Sequence, residues 1–389
     1  MDTESPALAD RVGAIDQTVI RQMYDLAEAR GGDLVRLEIG EPDFDTPDHV
    51  VDAAADAARG GATHYTSNAG VPELREAIAE KSERDHDLDV DPDDVVATAG
   101  ASEAILLTLL ATGEAGDEVV LPTPAWPQYR MQIQLTEATP VEVPMDEAEF
   151  GLDVERVVDA VGPETACVVL NSPSNPTSQV YTPEAVAEVV DAAAAHDAYV
   201  LLDEVYASLD YGGEGRSLAA DLDADNVVVV NAFSKQYAMT GWRLGWLSGP
   251  SAVVEAAKKL HPATTTCASS VSQQAGIAAL TGPQEPFEEM AAAFEERRDY
   301  VVDRVAGVPG ISCPTPEGGF YAFVNVEALD GTSYDVAERL LEEQGVVTVP
   351  GAGFGPGGEG HLRVSFATSL ERLEVGFDRI EAFVGDELA

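Results

Sequence analysis

The chain has 389 residues, 45% of them hydrophobic, and 70 acidic against 22 basic side chains give a net charge of −48. That length supports a large core shared between one larger and one smaller domain. Acid spread along the whole chain argues against nucleic acid or anionic membranes as partners. No stretch is long and apolar enough to span a membrane, and the acidic opening MDTESPALAD lacks the basic-then-apolar order of a signal peptide. Cys167, Cys267 and Cys313 follow no metal or redox spacing and read as small buried residues. A soluble protein of the reducing cytoplasm is expected. No two histidines form an HxxH or HxxxH pair, so no metal is expected.

In chain order the apolar runs are VVATA (95–99), EVVLP (118–122), ACVVL (166–170), AYVLLD (198–203) and NVVVVN (226–231). Helical patterns lie between them, such as ASEAILLTLLATG (101–113) and PEAVAEVVDAAAAHD (183–197). Short β-branched runs alternating with helices predict an α/β fold, its mostly parallel sheet covered by helices on both faces. The C-terminal third differs. A long helical segment (285–307) is followed by strand and turn signals in GGFYAFVNV (318–326) and in VVTVPGAGFGPGGEGHLRVSFA (346–367). These predict a smaller α+β domain. The expected division is an N-terminal segment (1–45) packing with the small domain, a large domain (46–284) and the small domain (285–389).

Ligands of open α/β sheets gather beyond the carboxyl ends of the strands. There the sequence offers Gly100-Ala101-Ser102, Trp126, the turn Asn171-Ser172-Pro173-Ser174-Asn175-Pro176, Asp203 with Tyr206, and Ser234-Lys235. Lys235 is the odd residue. The other three lysines, Lys81, Lys258 and Lys259, sit in polar helix-like stretches where lysine is ordinary. A lysine in a desolvated cleft has a depressed pKa and a usable amine, able to form a Schiff base with a carbonyl. A facing aspartate suits a protonated pyridine nitrogen, the pairing that pyridoxal phosphate needs. Tyr206 and Asn175 suit the ring oxygen, and Trp126 offers a flat stacking face. The turn at Gly100-Ala101-Ser102 opens a helix and suits a phosphate, with Ser234 and Arg243 as further contacts.

Each element has a plainer reading when taken alone. The turn before 101 is then an N-cap, Trp126 a core residue, Asp203 a turn cap, and the prolines of SPSNPT turn markers. Lys235 is as readily a surface loop lysine. Their fall at one end of one sheet changes that balance.

On these residues the chain resembles the class I/II, fold type I, pyridoxal-phosphate aminotransferases, of the aspartate and aromatic kind, from about Thr18 to Arg379. SKQYAMTGWRLGW (234–246) is similar to the cofactor-lysine signature, LEIGEPDFDTP (37–47) to the N-terminal glycine loop, and HYTSNAGVPELREAIA (64–79) to the segment that reaches a neighbouring subunit's cofactor. NSPSNPTSQVY, DEVY and HLRVSFA resemble the remaining blocks. The dense acid resembles that of proteins from salt-loving microbes, in which salt screens self-repulsion.

The resemblance implies that Lys235 binds pyridoxal 5'-phosphate covalently and carries the proton between Cα and C4′. It implies that Asp203 pairs with the ring nitrogen, that Tyr206 and Asn175 bind the ring oxygen, and that Trp126 stacks on the ring. The phosphate falls to Ala101, Ser102, Ser234 and Arg243, with Tyr65 from the partner chain of a homodimer that shares its sites. Arg363 takes the substrate α-carboxylate, helped by the Gly40 N–H and by Asn175. Two departures stand out. Ser178 occupies a usual glycine position after NPT, which implies a small change of turn geometry. Ser102 stands at about the place where one aspartate-specific branch carries a lysine for the side-chain carboxylate. Thr18 sits where the family often has a substrate-side serine.

Phe320-Tyr321 reads as core more readily than as pocket lining, and His64 as structural. Arg297 and Arg298, among glutamates, read as surface ion pairs. The expected reaction is ping-pong transfer of an amino group from an L-amino acid to a 2-oxo acid, the donor being aspartate, alanine, aromatic or branched-chain. The alternative is a lyase on the same scaffold: a C–S lyase, a decarboxylase or an aminocyclopropane-carboxylate-synthase-like enzyme. A DNA-binding regulator would need a region that has no room before Thr18. A nicotinamide dehydrogenase would need a GxGxxG after the first strand, and none is there.

Overall fold

The computed structural model describes residues 8–13, 15, 17–146, 149–213, 215–222 and 224–389. Residues 1–7, on which much of the signal-peptide reading rests, lie outside it. The strands are β1 (Val35–Arg36), β2 (Val95–Thr98), β3 (Glu118–Thr123), β4 (Thr139–Pro144), β5 (Thr165–Asn171), β6 (Tyr199–Asp203), β7 (Val227–Ala232), β8 (Gly245–Ser248), β9 (Tyr321–Asn325), β10 (Val346–Val347), β11 (Val349–Pro350) and β12 (His361–Ser365).

Seven of them form one sheet in the order β2-β8-β7-β6-β5-β3-β4, parallel except for β8, which runs against both neighbours. The apolar runs are continuous because both faces are covered. Side chains alternate along each strand. Val169, Leu201, Val228 and Val230 pack on one side with Ile105 and Leu109 of the helix Ala101–Thr112. Val168, Leu170, Val200 and Leu202 pack on the other with Val186 and Val189 of the helix Pro183–Ala194. Thr182 caps that second helix by accepting from the Ala185 N–H at 3.2 Å, and Pro183 opens it. Each such fully buried Val or Leu contributes about 1.5–3 kcal/mol of transfer free energy. The fold is therefore the mostly parallel, helix-covered α/β sheet expected, with a second, smaller sheet.

That smaller sheet is antiparallel, in the order β11-β12-β9. Its core joins Val324 and Val364 to Phe294 and Val301 of the helix Glu285–Gly307, and to Phe377 and Phe383 of the C-terminal helix Leu370–Glu387. Met23, Ala27, Val35 and Leu37 belong to the same cluster, and β1 pairs in parallel with β10. This packing supports the division we propose, with an N-terminal segment (1–45) packing with the small domain (285–389), and 46–284 as the large one.

Two charged residues sit where the sequence reading did not put them. Arg297 is 9% exposed rather than on the surface. Its guanidinium donates to both oxygens of Asp43, at 2.6 and 3.2 Å, and lies over the rings of Phe44 and Phe294. Its helix turns that face inward, and the counter-charge comes from far along the chain. Lys81 is fully buried, paired with Asp85 at 3.0 Å and with His86 Nε2 at 3.2 Å.

Candidate active site

Reversing β8 alone leaves β2, β3, β5, β6 and β7 ending at one edge of the large sheet. A cleft of about 420 Å³ opens there and meets the small sheet through Tyr321 of β9 and Arg363 of β12.

Lys235 lies on the single helical turn Phe233–Gln236 that follows β7. Its Nζ donates to the Gly40 carbonyl at 2.6 Å. Burial pushes its pKa down to about 8, against the pull of Glu41; Arg363 and Arg243 push the same way as burial. Asp203 ends β6 and is buried. Its Oδ2 accepts from the Tyr129 hydroxyl at 2.6 Å and its Oδ1 from the Val205 N–H at 3.2 Å. Burial still pushes its carboxyl up to about 6. Asn171, at the end of β5, donates from Nδ2 to the Asp203 carbonyl at 2.9 Å, and its Oδ1 accepts from the Asn175 N–H at 2.8 Å. The two strand ends are thereby locked together.

Arg363 is the largest side chain in the chain's fully buried set. Nη1 donates to Asn175 Oδ1 at 3.0 Å and Nη2 to the Glu38 carbonyl at 2.6 Å. The guanidinium sits 4.4 Å from the Tyr321 ring centroid, and Nε is buried without a protein partner. Such an unpaired donor is costly unless a ligand meets it. The Tyr206 and Tyr321 hydroxyls lie 3.1 Å apart. Gly40 passes so close to the Tyr321 hydroxyl that a Cβ there would collide with it.

At the other end of the cleft the helix Ala101–Thr112 begins, and the Ala101 and Ser102 N–H groups precede the first bonds of the turn, those of Glu103 and Ala104 to the Gly100 carbonyl. Ala101, Ser102, Ser234 and Arg243 all line the cleft there. Gly100 has φ 92°, and a Cβ on it would sit 2.6 Å from Arg243 Nη2, so only glycine permits that approach. Glu103 braces the turn by accepting from the Ala99 N–H at 2.7 Å. Burial opposes its charge, but bonds from His261, Thr264, Ala99 and Thr265 hold its carboxyl down at about 2.

Eleven of the twelve residues singled out from sequence therefore line one cleft. The twelfth, Tyr65, is 87% exposed and does not. Thr18 also lines the cleft, although its hydroxyl accepts from the Arg21 N–H as a helix cap. Ser178 takes φ 58° and accepts from the Tyr321 N–H at 3.3 Å, keeping the left-handed turn with a side chain present. Sequence reasoning missed Tyr129 and Arg21, and it named Asn171 at the strand end without giving it a role. Tyr321, read chiefly as core, is both buried and part of the lining. Among the described residues no group of His, Cys, Asp and Glu could hold a metal ion, and no helix is long and apolar enough to cross a membrane.

The residues present fit pyridoxal phosphate. A desolvated amine, a buried carboxylate and a helix N-terminus beside an arginine share one cleft with the buried guanidinium of Arg363. Residues 32–380 match the family described as Aminotransferase class I and II, whose members use pyridoxal phosphate. The aspartate aminotransferase of Geobacillus stearothermophilus is 38% identical over 389 residues, covering 97% of this chain and 98% of the relative. The aromatic-amino-acid aminotransferase 2 of Thermococcus litoralis is 38% identical, covering 96% and 97%. The structure of the Thermus thermophilus aspartate aminotransferase with maleate superposes with a TM-score of 0.92 at 36% identity, covering 97% of this chain and all of that one.

Proposed function

Because the chain belongs to the class I and II aminotransferase family, we propose that it binds pyridoxal 5'-phosphate in this cleft and transfers an amino group from an L-amino acid to a 2-oxo acid in two half-reactions. The observation that carries the reading is the lowered Lys235 amine in the same cleft as buried Asp203 and the buried guanidinium of Arg363. When bound, the cofactor supplies a carbonyl carbon that condenses with amines and a ring that takes up the electron pair left at Cα.

The chain's own groups do the rest. Lys235, with its pKa near 8, has far more neutral amine at neutral pH than a free lysine, so it can bond to the cofactor. Its amine, once free, would take up and return the proton of the substrate Cα. Asp203 supplies a fixed negative charge to the ring nitrogen. Tyr206 and Asn175 hold the ring oxygen, and Trp126 covers the ring. Ala101, Ser102, Ser234 and Arg243 hold the phosphate. Arg363, assisted by Gly40 and Asn175, takes the α-carboxylate, and its rigid mooring fixes which Cα bond faces Lys235.

Tyr65 supports a homodimer with shared sites. It is 87% exposed on one chain, and in the resemblance its place is at the neighbour's phosphate. Relatives named for aspartate and for aromatic amino acids support those donors. The net charge of −48 and the absence of paired cysteine spacings support a salt-rich, reducing cytoplasm. A lyase on the same scaffold is not favoured, because the similar proteins are aminotransferases.

The test is an absorbance spectrum of the purified protein in concentrated potassium chloride with pyridoxal phosphate, followed by single amino-acid additions. The band of lysine-bound cofactor is expected to convert to the aminated form, and a 2-oxo acid to restore it. Lys235→Ala is expected to lose both band and turnover while keeping the fold by circular dichroism. Turnover retained in that variant would sink the mechanism.

A further inference from the structure

Behind the phosphate end of the cleft lies a buried carboxylate. Glu103 stands in the first turn of the helix Ala101–Thr112. Its Oε2 accepts from the Ala99 N–H at 2.7 Å, and Arg243 Nη2 donates to the carbonyl of the same residue at 3.3 Å. Its Oε1 accepts from the Thr264 and Thr265 hydroxyls at 2.6 and 2.7 Å. These neutral donors keep Glu103 ionised. The turn expected to carry a nearly dianionic phosphate therefore has a negative charge directly behind it, in a chain whose net charge is already −48.

His261 faces that charge. It lies in the helix Ser251–Thr264 and is fully buried. Nδ1 sits 2.5 Å from the Asn68 carbonyl, which can only accept, so Nδ1 carries a hydrogen. Nε2 lies 3.3 Å from Glu103 Oε2 and 3.0 Å from the Thr265 hydroxyl, whose own hydrogen goes to Glu103 Oε1. Nε2 therefore also faces acceptors only. A ring whose two nitrogens both face acceptors is satisfied as the imidazolium. Burial opposes that charge, but the Glu103 carboxylate and the Asn68 carbonyl outweigh it and raise the His261 pKa. Lys258, one turn earlier on the same helix, is directed instead to the Asp93 carbonyl and Glu255. Asn68 belongs to the segment that carries Tyr65, so His261 also ties that segment to the turn.

We propose that His261 is a positioning residue for the cofactor phosphate: as a buried cation it neutralises Glu103, so that Glu103 can brace the turn at 99–102 without repelling the phosphate held there. This rests on the pyridoxal-phosphate reading above. Neither side chain lines the cleft, so the effect runs through the turn and through the field. A carboxylate left uncompensated in desolvated surroundings acts over several ångströms, whereas a neutralised pair largely cancels.

The experiment titrates the full chain, freed of cofactor, at neutral pH and one fixed potassium chloride concentration, and reads Kd from tryptophan fluorescence. The probes are pyridoxamine 5'-phosphate, which cannot bond to Lys235, and pyridoxamine, which lacks the phosphate. His261→Gln leaves the Glu103 charge bare and is expected to raise Kd for pyridoxamine 5'-phosphate on the order of 10-fold, with Kd for pyridoxamine unchanged. Glu103→Gln removes the charge and keeps the shape, its amide oxygen turned to Ala99 and its nitrogen to the threonine hydroxyls. It is expected to bind pyridoxamine 5'-phosphate as well as the wild type or more tightly. The double variant is expected to recover most of what His261→Gln loses. An unchanged Kd in His261→Gln overturns the proposal, and so does an equal loss for both probes. Should His261→Gln not fold, Glu103→Gln still decides, because a 10-fold loss of the phosphate probe there contradicts a repulsive charge. A double variant as weak as His261→Gln overturns the proposal as well, since the pair would then fix shape rather than charge. A wild type that binds pyridoxamine 5'-phosphate no better than pyridoxamine overturns the cofactor reading itself, and this proposal with it.

Discussion

Tyr129→Phe removes one oxygen and nothing else from the site. The ring stays, as does its edge contact with Trp126 at 5.4 Å. What goes is the hydroxyl that donates to Asp203 Oδ2 at 2.6 Å. A hydrogen bond to a charged acceptor contributes about 1.5–3 kcal/mol to the ionised form, and one pH unit corresponds to about 1.36 kcal/mol. The Val205 N–H still serves Oδ1. The Asp203 carboxyl, already pushed up to about 6 by burial, therefore becomes harder to ionise. Loss of the charged form lowers activity on the acid side. The acid limb of kcat/KM against pH is expected to move upward by about one to two pH units in the variant, with the alkaline plateau close to that of the wild type. The assay is aspartate turnover by both holoenzymes across the whole pH range in which they stay folded. Superimposable profiles would refute the reasoning. So would an equal fall at every pH, which would mean that the hydroxyl supports packing rather than charge.

Two further outcomes follow from groups outside the cleft. Glu204 is buried, accepting from the Ser217 hydroxyl at 3.0 Å and the Leu218 N–H at 2.8 Å, and burial raises its pKa from 4.5 to about 7. The folded state thus holds its proton more tightly than the unfolded chain, so stability falls as pH rises between those values, by about 3 kcal/mol in all. Glu204→Gln keeps an acceptor and removes the charge, so its thermal midpoint should gain on the wild type across that window; parallel curves would contradict this. Arg297→Met leaves Asp43 without its partner and should cost about 1–3 kcal/mol of stability. A cycle with Asp43→Asn should show clear coupling, and strict additivity would show that the pair contributes nothing.

The β-branched runs were legible because a strand covered on both faces has no polar side to confuse the pattern. β4 and β8 were harder to see. TPVEVP carries proline at two positions, and GWLS is four residues long without a β-branched residue. The strand-end chemistry was also legible, since lysine, aspartate and asparagine are unusual at the ends of apolar runs. Tyr129 was not, because it sits on a helix where an aromatic reads as core, and its acceptor lies on β6, seventy-four residues away. Arg297 misled for a similar reason. Its neighbours on the helix are glutamates, while its partner Asp43 lies on the N-terminal loop. Local pattern reports the face of an element, not what another element brings to that face.

The pairing of β1 with β10 carries a consequence for synthesis. Val35 cannot find Val346 until the ribosome has made it, and at about 5–20 residues per second that wait is roughly 15–60 s. The seven strands of the large sheet are all complete by Ser248, so they can settle first. Thr18, Arg21 and Gly40 flank β1 and form part of the rim of the cleft, so that rim closes only after the tail arrives. A nascent chain of this protein can thus own a finished floor while its substrate wall is still loose. Late truncations should expose that order by trapping the cofactor's half of the pocket without the half that selects what reacts there.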